Sequence, residues 1–288
     1  MNKCLQTKLK AVVNNPNLPI LERMQQFTID AITASGNAEM TDAQKWALNH
    51  LFYALGKFDD SENSVWNKID FVFLPIISKA VDHSCIDYTN NVNYGYSPYY
   101  DDIQLINGGL SAIRNDEYSL FIKNITKTNI SPINISMFSS YAAVNNNTTC
   151  VRVRYQPNSE NKYEVRANPY SQGSTQNFGI FLTGQAGNFA YIEGVNPSVI
   201  RNINVASASA AGVSGCVVLD DNVVVGQGQF IADRYTPIDH QDRYVIPISN
   251  PSINAPLQMV IIGECVEFTE AQKIVAAMNN LRNEFMTI

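Results

Sequence analysis

Residues 64–77 read SVWNKIDFVFLPII, and this stretch separates a helical beginning of the chain from a β-rich remainder. VWNKI has the spacing of a short amphipathic turn. In the following DFVFLPII, six of the eight residues are large and apolar, and the proline stands near the end. An apolar run of this length predicts a buried strand. We therefore expect Trp66 and the strand after it to form the seam between the helices and the sheet.

Two segments predict helices that begin in the same way. Residues 41–55 open with TDAQK, in which Thr41 is a good N-cap and Gln44 completes a capping box, and Gly56 ends the segment. The second predicted helix, residues 270–285, begins within TEAQK at residues 269–273, with Thr269 at the N-cap position. The first apolar stripe comprises Ala43, Trp46, Ala47, Leu51, Ala54 and Leu55, and the second Ala271, Ile274, Val275, Met278, Leu281 and Phe285. His50 falls on the first stripe, which predicts a hydrogen-bonded core histidine and not a metal ligand.

The segments around the first helix have less regular patterns. Residues 1–23 include LKAVV and the turn-rich NNPNLP, so we expect an N-terminal arm or first hairpin there. FTIDAI at residues 27–32 alternates apolar and polar side chains, which predicts a half-buried strand. AVDHSCIDY at residues 80–88 is a second candidate strand. Residues 24–288 are expected to form one domain.

Between residues 105 and 266, short β candidates alternate with turn residues. They are LSAIR, YSLFIKNI, INISMFSSYAAV, CVRVRYQ, KYEVRA, FGIFLTG, FAYIEGV, SVIRNINVA, GCVVLDDNVVVGQGQFIA, RYVIPI and PLQMVIIGEC. Their spacing and their Gly, Asn and Pro breaks predict an antiparallel β-sandwich or jelly roll. Asp220, Asp221 and Asn222 predict a hairpin turn between two β-branched runs, in preference to a calcium site.

Two further patterns concern the faces of these strands. CVRVRYQ and KYEVRA are joined by PNSEN, which predicts a hairpin with Val151, Val153 and Tyr155 facing the core. Asn-Ile-Ser/Thr units recur between residues 124 and 136 and formally match glycosylation acceptors. Since nothing indicates secretion, we expect these asparagines to form hydrogen bonds in edge strands or loops.

Composition and charge exclude several classes of function. The net charge of −6, the pI near 5.1 and the lack of a basic run argue against a nucleic-acid partner. Nowhere do 18 apolar residues follow one another, so no membrane insertion is expected.

The start MNKCLQTKLKAVV lacks the apolar core of a signal peptide, which favours folding in a cytoplasm. The cysteines have no CxxC spacing and are predicted to be reduced, small core residues: Cys4, Cys85, Cys150, Cys216 and Cys265.

The sequence lacks the familiar motifs of catalysis and cofactor binding. GxSxG, HExxH, the P-loop and GxGxxG are absent, and GQGQF at residues 226–230 lies within a strand run. Glycoside hydrolysis needs two carboxylates across a cleft. Glu264 and Glu267 are three residues apart and are expected on opposite faces of a strand, while Asp101 with Asp102, and Asp116 with Glu117, are adjacent. The sequence therefore predicts a protein that is not an enzyme and has no cofactor or metal.

A tyrosine-rich stretch is the candidate ligand site. YTNNVNYGYSPYYDD at residues 88–102 mixes tyrosines with Asn, Gly, Pro and Asp, a composition typical of a loop. Tyr94, Tyr96, Tyr99 and Tyr100 form a candidate platform for sugar stacking or partner contact, because tyrosine offers a large amphipathic surface at low entropic cost. The alternative is an ordinary loop whose tyrosines pack back on the domain.

Three stretches resemble one family. They are xVWxKIDxVFLPII, a following AxxxxIDYTNN, and PLQMVIIGECVEFTEAQKIVAAMNNL, which leads into the closing helix. With this layout the chain resembles the concanavalin-like (laminin G-like) domains of virion proteins, in particular structural proteins of tailed gut bacteriophages, including the crAss-like group. The resemblance covers roughly residues 40–288. It implies a mainly β fold, a concanavalin-like antiparallel jelly roll with two packed helices, at residues 41–55 and 270–285.

The resemblance also implies a function. Family members are structural or glycan-binding proteins, so a virion structural protein is expected: a head fibre, capsid decoration or tail-associated subunit. Such a protein is a homo-oligomer in the virion, assembled in the host bacterial cytoplasm. Its arm, residues 1–23, is expected to attach it to other virion proteins. The alternative is a carbohydrate-binding module that recognises a host surface glycan through Tyr94, Tyr96, Tyr99 and Tyr100.

Overall fold

The computed structural model describes residues 24–59, 61–62, 64–89, 92–93, 103–112, 118–125, 133–139, 151–155, 163–167, 178–182, 188–192, 200–209, 212–221, 223–230, 242–248 and 256–286. Side chains are described throughout 24–59, 61–62, 64–89, 104–110 and 256–286, and elsewhere at residues 134, 136, 138, 200, 202, 204, 217, 219, 221, 223 and 224. The expected arm at residues 1–23 lies outside this part of the chain.

The helices are α1 Gln26–Ala34, α2 Asp42–Ala54, the single turn α3 Val81–Ser84, and α4 Phe268–Phe285, with 3₁₀ turns at Val65–Lys68 and Pro75–Ile77. The strands are β1 Ile69–Phe73, β2 Ile86–Asp87, β3 Val92–Asn93, β4 Ile103–Ile106, β5 Gly109–Ala112, β6 Tyr118–Ile125, β7 Ile133–Ser139, β8 Val151–Tyr155, β9 Tyr163–Ala167, β10 Phe178–Leu182, β11 Asn188–Ile192, β12 Arg201–Ser209, β13 Gly212–Asp220, β14 Val223–Phe230, β15 Asp242–Ile248 and β16 Leu257–Gly263.

The described strands form antiparallel sheets. The largest has the order β14-β13-β12-β7-β16-β1-β2-β3, with the β4–β5 hairpin attached to β16. A four-stranded sheet has the order β6-β15-β8-β9, and β10 pairs with β11. The prediction of a mainly β, antiparallel protein with few helices is confirmed. The predicted hairpins also form: β8 pairs with β9, and β13 with β14 across the turn at Asp221, whose φ is 49°.

The stretch Ser64–Ile77 supplies strand β1, which lies between β16 and β2 in the large sheet. Its first residues make the 3₁₀ turn Val65–Lys68, capped by the Ser64 hydroxyl, which accepts a hydrogen bond from the Trp66 amide. β1 then pairs with β16, with Val72 opposite Ile261. The strand is shorter than the predicted run, because Pro75 has no N–H to donate and begins a second 3₁₀ turn.

The predicted strand at residues 27–32 is wrong, because this segment is helix α1. Its fully buried residues, Thr28 and Ala31, are three apart and share one helical face. The Thr28 hydroxyl donates to Asn49 Oδ1 at 2.8 Å. The Phe27 ring packs edge-on against Phe52, with 4.9 Å between ring centroids. A six-residue alternation fits either period, and packing against α2 selects the helix.

Helix α2 confirms the predicted capping box and part of the predicted stripe. Gln44 N donates to Thr41 Oγ1 at 3.2 Å, and Thr41 N donates to Gln44 Oε1 at 3.0 Å. The buried hydrophobic residues are Ala47, Leu48, Leu51 and Phe52, followed by Leu55 at the C-cap. Ala43 and His50 are exposed on the opposite side. The prediction of a core histidine at position 50 is therefore wrong.

The second candidate strand, residues 80–88, is mostly helical. Val81–Ser84 forms α3, and only Ile86–Asp87 pairs as β2. Helix α4 begins at Phe268, with Glu267 at the N-cap. The predicted N-cap at Thr269 is therefore two residues late, since Glu267 N donates to Glu270 Oε2 at 2.9 Å. Glu264 follows β16 directly, so Glu264 and Glu267 do not share a strand.

Helices α2 and α4 pack together on one face of the large sheet. Gln44 Nε2 donates to the Glu284 carbonyl at 3.0 Å, which joins the start of α2 to the end of α4. The predicted stripe of α4 is confirmed, with Phe285 half-buried at its end. The opposite face of β1 and β16 is also completely buried at Phe71, Phe73, Val260 and Ile262.

Trp66 lies where we expected the seam, but it is half-buried. Its ring packs edge-on against Phe27 and Phe52, with centroids 5.5 Å and 6.2 Å away. Lys57 Nζ lies 4.7 Å from the Trp66 centroid and 4.3 Å from that of Phe27. Burial lowers the pKa of Lys57. The cluster fixes α1 and α2 against the turn that starts β1.

A buried row of polar side chains crosses the helix-covered face of the sheet. This amide ladder comprises Asn134 and Ser136 of β7 and Asn202 and Asn204 of β12. Asn134 was expected at an edge or in a loop, and that prediction is wrong: β7 lies between β12 and β16, and Asn134 is 1% exposed. Asn204 Nδ2 donates to the Val266 carbonyl at 2.6 Å, and Val266 N donates to Asn204 Oδ1 at 3.1 Å. The ladder therefore holds the link between β16 and α4.

Candidate functional site

A pocket of ≈ 240 Å³ lies where the start of α2 and the end of α4 meet the sheet. We call it the junction pocket. Four separate parts of the chain contribute to it: the α1–α2 link, the segment after β1, the β4–β5 turn and the end of α4. Its walls are Asn37, Glu39, Gln44, Ile76, Ser78, Lys79, Leu105, Gly108 and Phe285.

The α1–α2 link places Asn37 at the pocket. Gly36 turns the chain with a φ of 64°, and a Cβ there would lie 2.5 Å from the His83 ring, so glycine is required. His83 Nδ1 is 3.0 Å from the Ala34 carbonyl. Asn37 is 4% exposed, and its Nδ2 donates to the Ile77 carbonyl at 3.0 Å. The Asn37 amide is therefore oriented by the backbone that leaves β1.

The segment after β1 supplies a second wall. The 3₁₀ turn Pro75–Ile77 buries Ile76 and brings Ser78 and Lys79 to the rim. The Ser78 hydroxyl donates to the His83 carbonyl at 2.8 Å, which ties this wall to α3. Tyr88 is 1% exposed, and burial raises the pKa of its phenol above its usual 10.0. Tyr88, the first residue of the tyrosine-rich stretch, is thus a core residue.

The β4–β5 hairpin supplies the third wall through an Asn-Gly turn. Asn107 and Gly108 have φ values of 49° and 70°, as the two central residues of a type I′ turn require. A Cβ on Gly108 would lie 3.4 Å from the Ile76 carbonyl oxygen. This hairpin and its first strand were not predicted from the sequence, although Asn-Gly between apolar runs is the strongest short-range hairpin signal.

The end of α4 supplies the fourth wall. Phe285 packs partly on the core beside Met286 and leaves part of its surface on the pocket. Both polar atoms of the Gln44 side chain are hydrogen-bonded. Its Oε1 accepts from the Thr41 backbone N–H, and its Nε2 donates to the Glu284 carbonyl. The pocket therefore forms only when the last turn of α4 is docked against the start of α2.

The pocket combines polar, charged and aromatic side chains. Asn37 Oδ1 is buried and has no hydrogen-bond partner among the described residues. An unpaired buried acceptor costs about 1–3 kcal/mol of the free energy of unfolding. Glu39 and Lys79 are exposed at the rim, one of each charge, and Phe285 offers an aromatic surface.

The predicted ligand residues lie elsewhere in the chain. Tyr94, Tyr96, Tyr99 and Tyr100 are outside the described residues, so the tyrosine platform stays a prediction. The stretch that carries them joins β3 to β4, and Leu105 on the pocket wall is five residues after Tyr100. Among the described residues, no group of three or more His, Cys, Asp or Glu side chains is placed to hold a metal ion.

Two thiols are described, and both are free. Cys85 is buried, as predicted, and burial together with the nearby Asp82 charge raises the pKa of its thiol to about 12. Cys265 is half-buried, and burial raises the pKa of its thiol as well. Both are therefore protonated and unreactive near neutral pH. Within the described part of the chain, no helix is long and apolar enough to cross a membrane.

Comparison with known proteins gives distant structural similarity. No protein-family model and no curated protein sequence matches the chain. Domain 4 of an extracellular GH43 arabinanase from Geobacillus stearothermophilus, solved with arabinotriose, covers 72% of this chain and 98% of its own, at 12% identity and a TM-score of 0.48. The Trypanosoma rangeli sialidase, solved with sialic acid, covers 75% of this chain at 8% identity and a TM-score of 0.45, and this chain spans 34% of the sialidase.

A third similar structure is an immunostimulatory antigen and pseudo β-1,3-glucanase of Mycobacterium tuberculosis. It covers 57% of this chain and 73% of its own, at 10% identity and a TM-score of 0.35. The ligands in these structures belong to those proteins.

Proposed function

We propose that this chain is a non-catalytic carbohydrate-binding protein and that the junction pocket is its sugar site. The observation that carries the proposal is the pocket itself, which presents the charged groups of Glu39 and Lys79 at its rim and Phe285 on its wall. Sugar recognition uses such a combination, because hydroxyl groups both donate and accept while the C–H face of the ring packs on an aromatic side chain.

The proposed architecture is a concanavalin-like β-sandwich. The support is burial on both sides of one strand pair. Val72 and Ile261 face the helices, whereas Phe71 and Ile262 face the other way, and all four are 0% exposed. A sheet buried on both faces requires a second layer over the face that the helices leave open. A second sheet in that position makes the sandwich.

The absence of catalysis belongs to the same proposal. Glycoside hydrolysis uses two carboxylates on either side of the scissile bond. Among the residues described at the junction pocket, Glu39 is the single carboxylate. In the proposed role, a site with one exposed acid and one lysine binds a sugar without the acid and base pair that cleaves it.

A glycan array on the purified chain tests the proposal. We expect binding that is lost in Phe285→Ala and weakened in Glu39→Gln. Phe268→Ala is the matched control, because Phe268 lies at the other end of α4 and is 39% exposed. Loss in Tyr99→Ala and Tyr100→Ala, with Phe285→Ala unaffected, would move the site to the tyrosine stretch. A blank array with folded protein would refute glycan binding.

A second candidate function is that of a virion structural protein. Residues 64–77 and 256–281, which carry the resemblance to phage virion proteins, are adjacent in the fold as β1, β16 and α4. The resemblance therefore concerns one contiguous scaffold. In this role the chain self-associates and the arm, residues 1–23, attaches it to other virion proteins. Glycan binding is compatible with it, since repeated weak sites on a particle gain avidity.

Mass spectrometry of purified particles tests this second function. We expect the chain to co-purify with the particle, and a deletion of residues 1–23 to abolish co-purification while the protein still folds. Full-length chain that stays outside the particle would rule out the structural role.

A further inference from the structure

We infer that Met286 is an oxidation site, at which a peroxide converts the thioether to a sulfoxide that then accepts a hydrogen bond from the buried Gln258 side chain. This modification goes beyond the proposed function and does not depend on it. Met286 is the C-cap of α4 and packs partly on the core, where it is half-buried. Its side chain is therefore partly open to an oxidant in solution.

Exposure gives the first argument, because it decides which methionines react. The other methionines with described side chains are Met24, Met40, Met259 and Met278, and all are 7% exposed or less. Met259 and Met278 belong to the apolar core cluster. An oxidant reaches a core sulfur only when the protein opens, whereas the end of a helix opens at little cost. Among these residues, Met286 should react first.

A fixed hydrogen-bond donor gives the second argument. Gln258 Nε2 donates to the Asn107 carbonyl at 3.3 Å and lies 3.7 Å from Met286 Sδ. Since a carbonyl only accepts, the contact with Asn107 identifies the atom beside the sulfur as Nε2 and not Oε1. Gln258 is 0% exposed, and a Cβ on Gly109 would lie 2.9 Å from Gln258 Cγ. A closely packed N–H donor therefore stands next to the thioether.

Oxidation changes the acceptor that this donor meets. A lone pair of Met286 Sδ attacks one oxygen of hydrogen peroxide, so the S–O bond forms as the O–O bond breaks. The other oxygen leaves as hydroxide, takes the proton of the transferred oxygen and becomes water. The sulfur loses two electrons, and the peroxide gains them. A thioether is a weak acceptor and a sulfoxide is polar, and the flexible methionine side chain lets the new oxygen turn toward Gln258 Nε2.

Timed treatment of the full chain with hydrogen peroxide, followed by peptide mass spectrometry, tests the site. We expect Met286 to be oxidised at least about tenfold faster than Met259 and Met278, because the core sulfurs wait for an opening reaction. Met286→Leu is the control: its early product should be missing, while the core methionines react as in the parent. Equal rates at Met286 and Met259 would refute the inference.

NMR of the side-chain amides tests the hydrogen bond to the sulfoxide. We expect one N–H proton signal of Gln258 to move downfield when Met286 is oxidised, because a stronger acceptor deshields the donor proton. The same treatment of Met286→Leu should leave this signal in place. Gln26, exposed and bonded to Asp30, is the internal control and should not shift. An unmoved Gln258 signal in protein oxidised at Met286 would show that Gln258 does not bind the sulfoxide, and the inference would be wrong.

Discussion

Asn204→Ala tests whether the amide ladder stabilises the link between β16 and α4. The Asn204 side chain is 5% exposed and makes three hydrogen bonds: to the Val266 carbonyl at 2.6 Å, from Val266 N at 3.1 Å and from Asn134 Nδ2 at 3.0 Å. Truncation leaves the N–H of Val266 without its partner and its carbonyl with only a 3.6 Å contact from Cys265 Sγ. Asn134 keeps its bonds to Asn202.

The magnitude follows from those two backbone groups. Each buried group left unsatisfied costs about 1–3 kcal/mol, so we expect a loss of about 4 kcal/mol in the free energy of unfolding. This is a large fraction of the roughly 5–15 kcal/mol that stabilises a domain. With a urea m-value of about 3 kcal/mol per molar, the unfolding midpoint should fall by about 1.3 M.

The assay is urea unfolding, followed by tryptophan fluorescence and circular dichroism. Asn280→Ala, on the exposed side of α4, is the matched control. It should stabilise by no more than about 0.7 kcal/mol, the difference in helix propensity between the two residues. A midpoint for Asn204→Ala within about 0.3 M of the parent would show that the amide ladder does not hold the link to α4.

Three further changes test other parts of the fold. Trp66→Ala should lower the free energy of unfolding by about 2 kcal/mol, because Trp66 is half-buried. Phe52 is fully buried, and Phe52→Ala should lower it by about 3–5 kcal/mol. Equal losses in urea unfolding would contradict this difference. Gly108→Ala should cost about 1 kcal/mol through its positive φ, whereas Gly108→Asn should be tolerated, and thermal unfolding compares the two. Stability should fall as pH rises above 9.0, because the Cys85 thiol ionises near 9.0 when unfolded but at about 12 when folded; a smaller fall in Cys85→Ala measures its share.

The β strands were predictable from the sequence because their signal is local. YSLFIKNI at residues 118–125 is strand β6 from end to end, and the β-branched runs around Asp221 form the predicted hairpin. Helix α2 was equally accessible, since Thr41 and Gln44 satisfy each other within one turn. The cap and the hairpin are fixed by interactions within a few residues of the pattern, whereas β6 pairs with the distant β15 but is marked by its own apolar run.

The features that were not predicted depend on contacts between residues that are far apart in the sequence. FTIDAI became a helix because Thr28 and Phe27 pack against Asn49 and Phe52, which no local pattern shows. His50 lies on the exposed side of α2, because packing against α4 determines which face of α2 is buried. The junction pocket was not predictable, since Asn37 and Phe285 are brought together only by the docked helix ends. The Asn-Gly turn at residues 107–108 was its one readable signal.

The contact between Gln44 and Glu284 has a consequence for biosynthesis. The two residues are 240 positions apart, and β1 likewise waits for its partner strand β16, which begins at Leu257. At about 5–20 residues per second, β1 is synthesised roughly 10–40 s before its partner strand. Such a nascent chain is a natural client for a chaperone, and its yield on overexpression should depend on growth temperature more than on the stability of the finished protein.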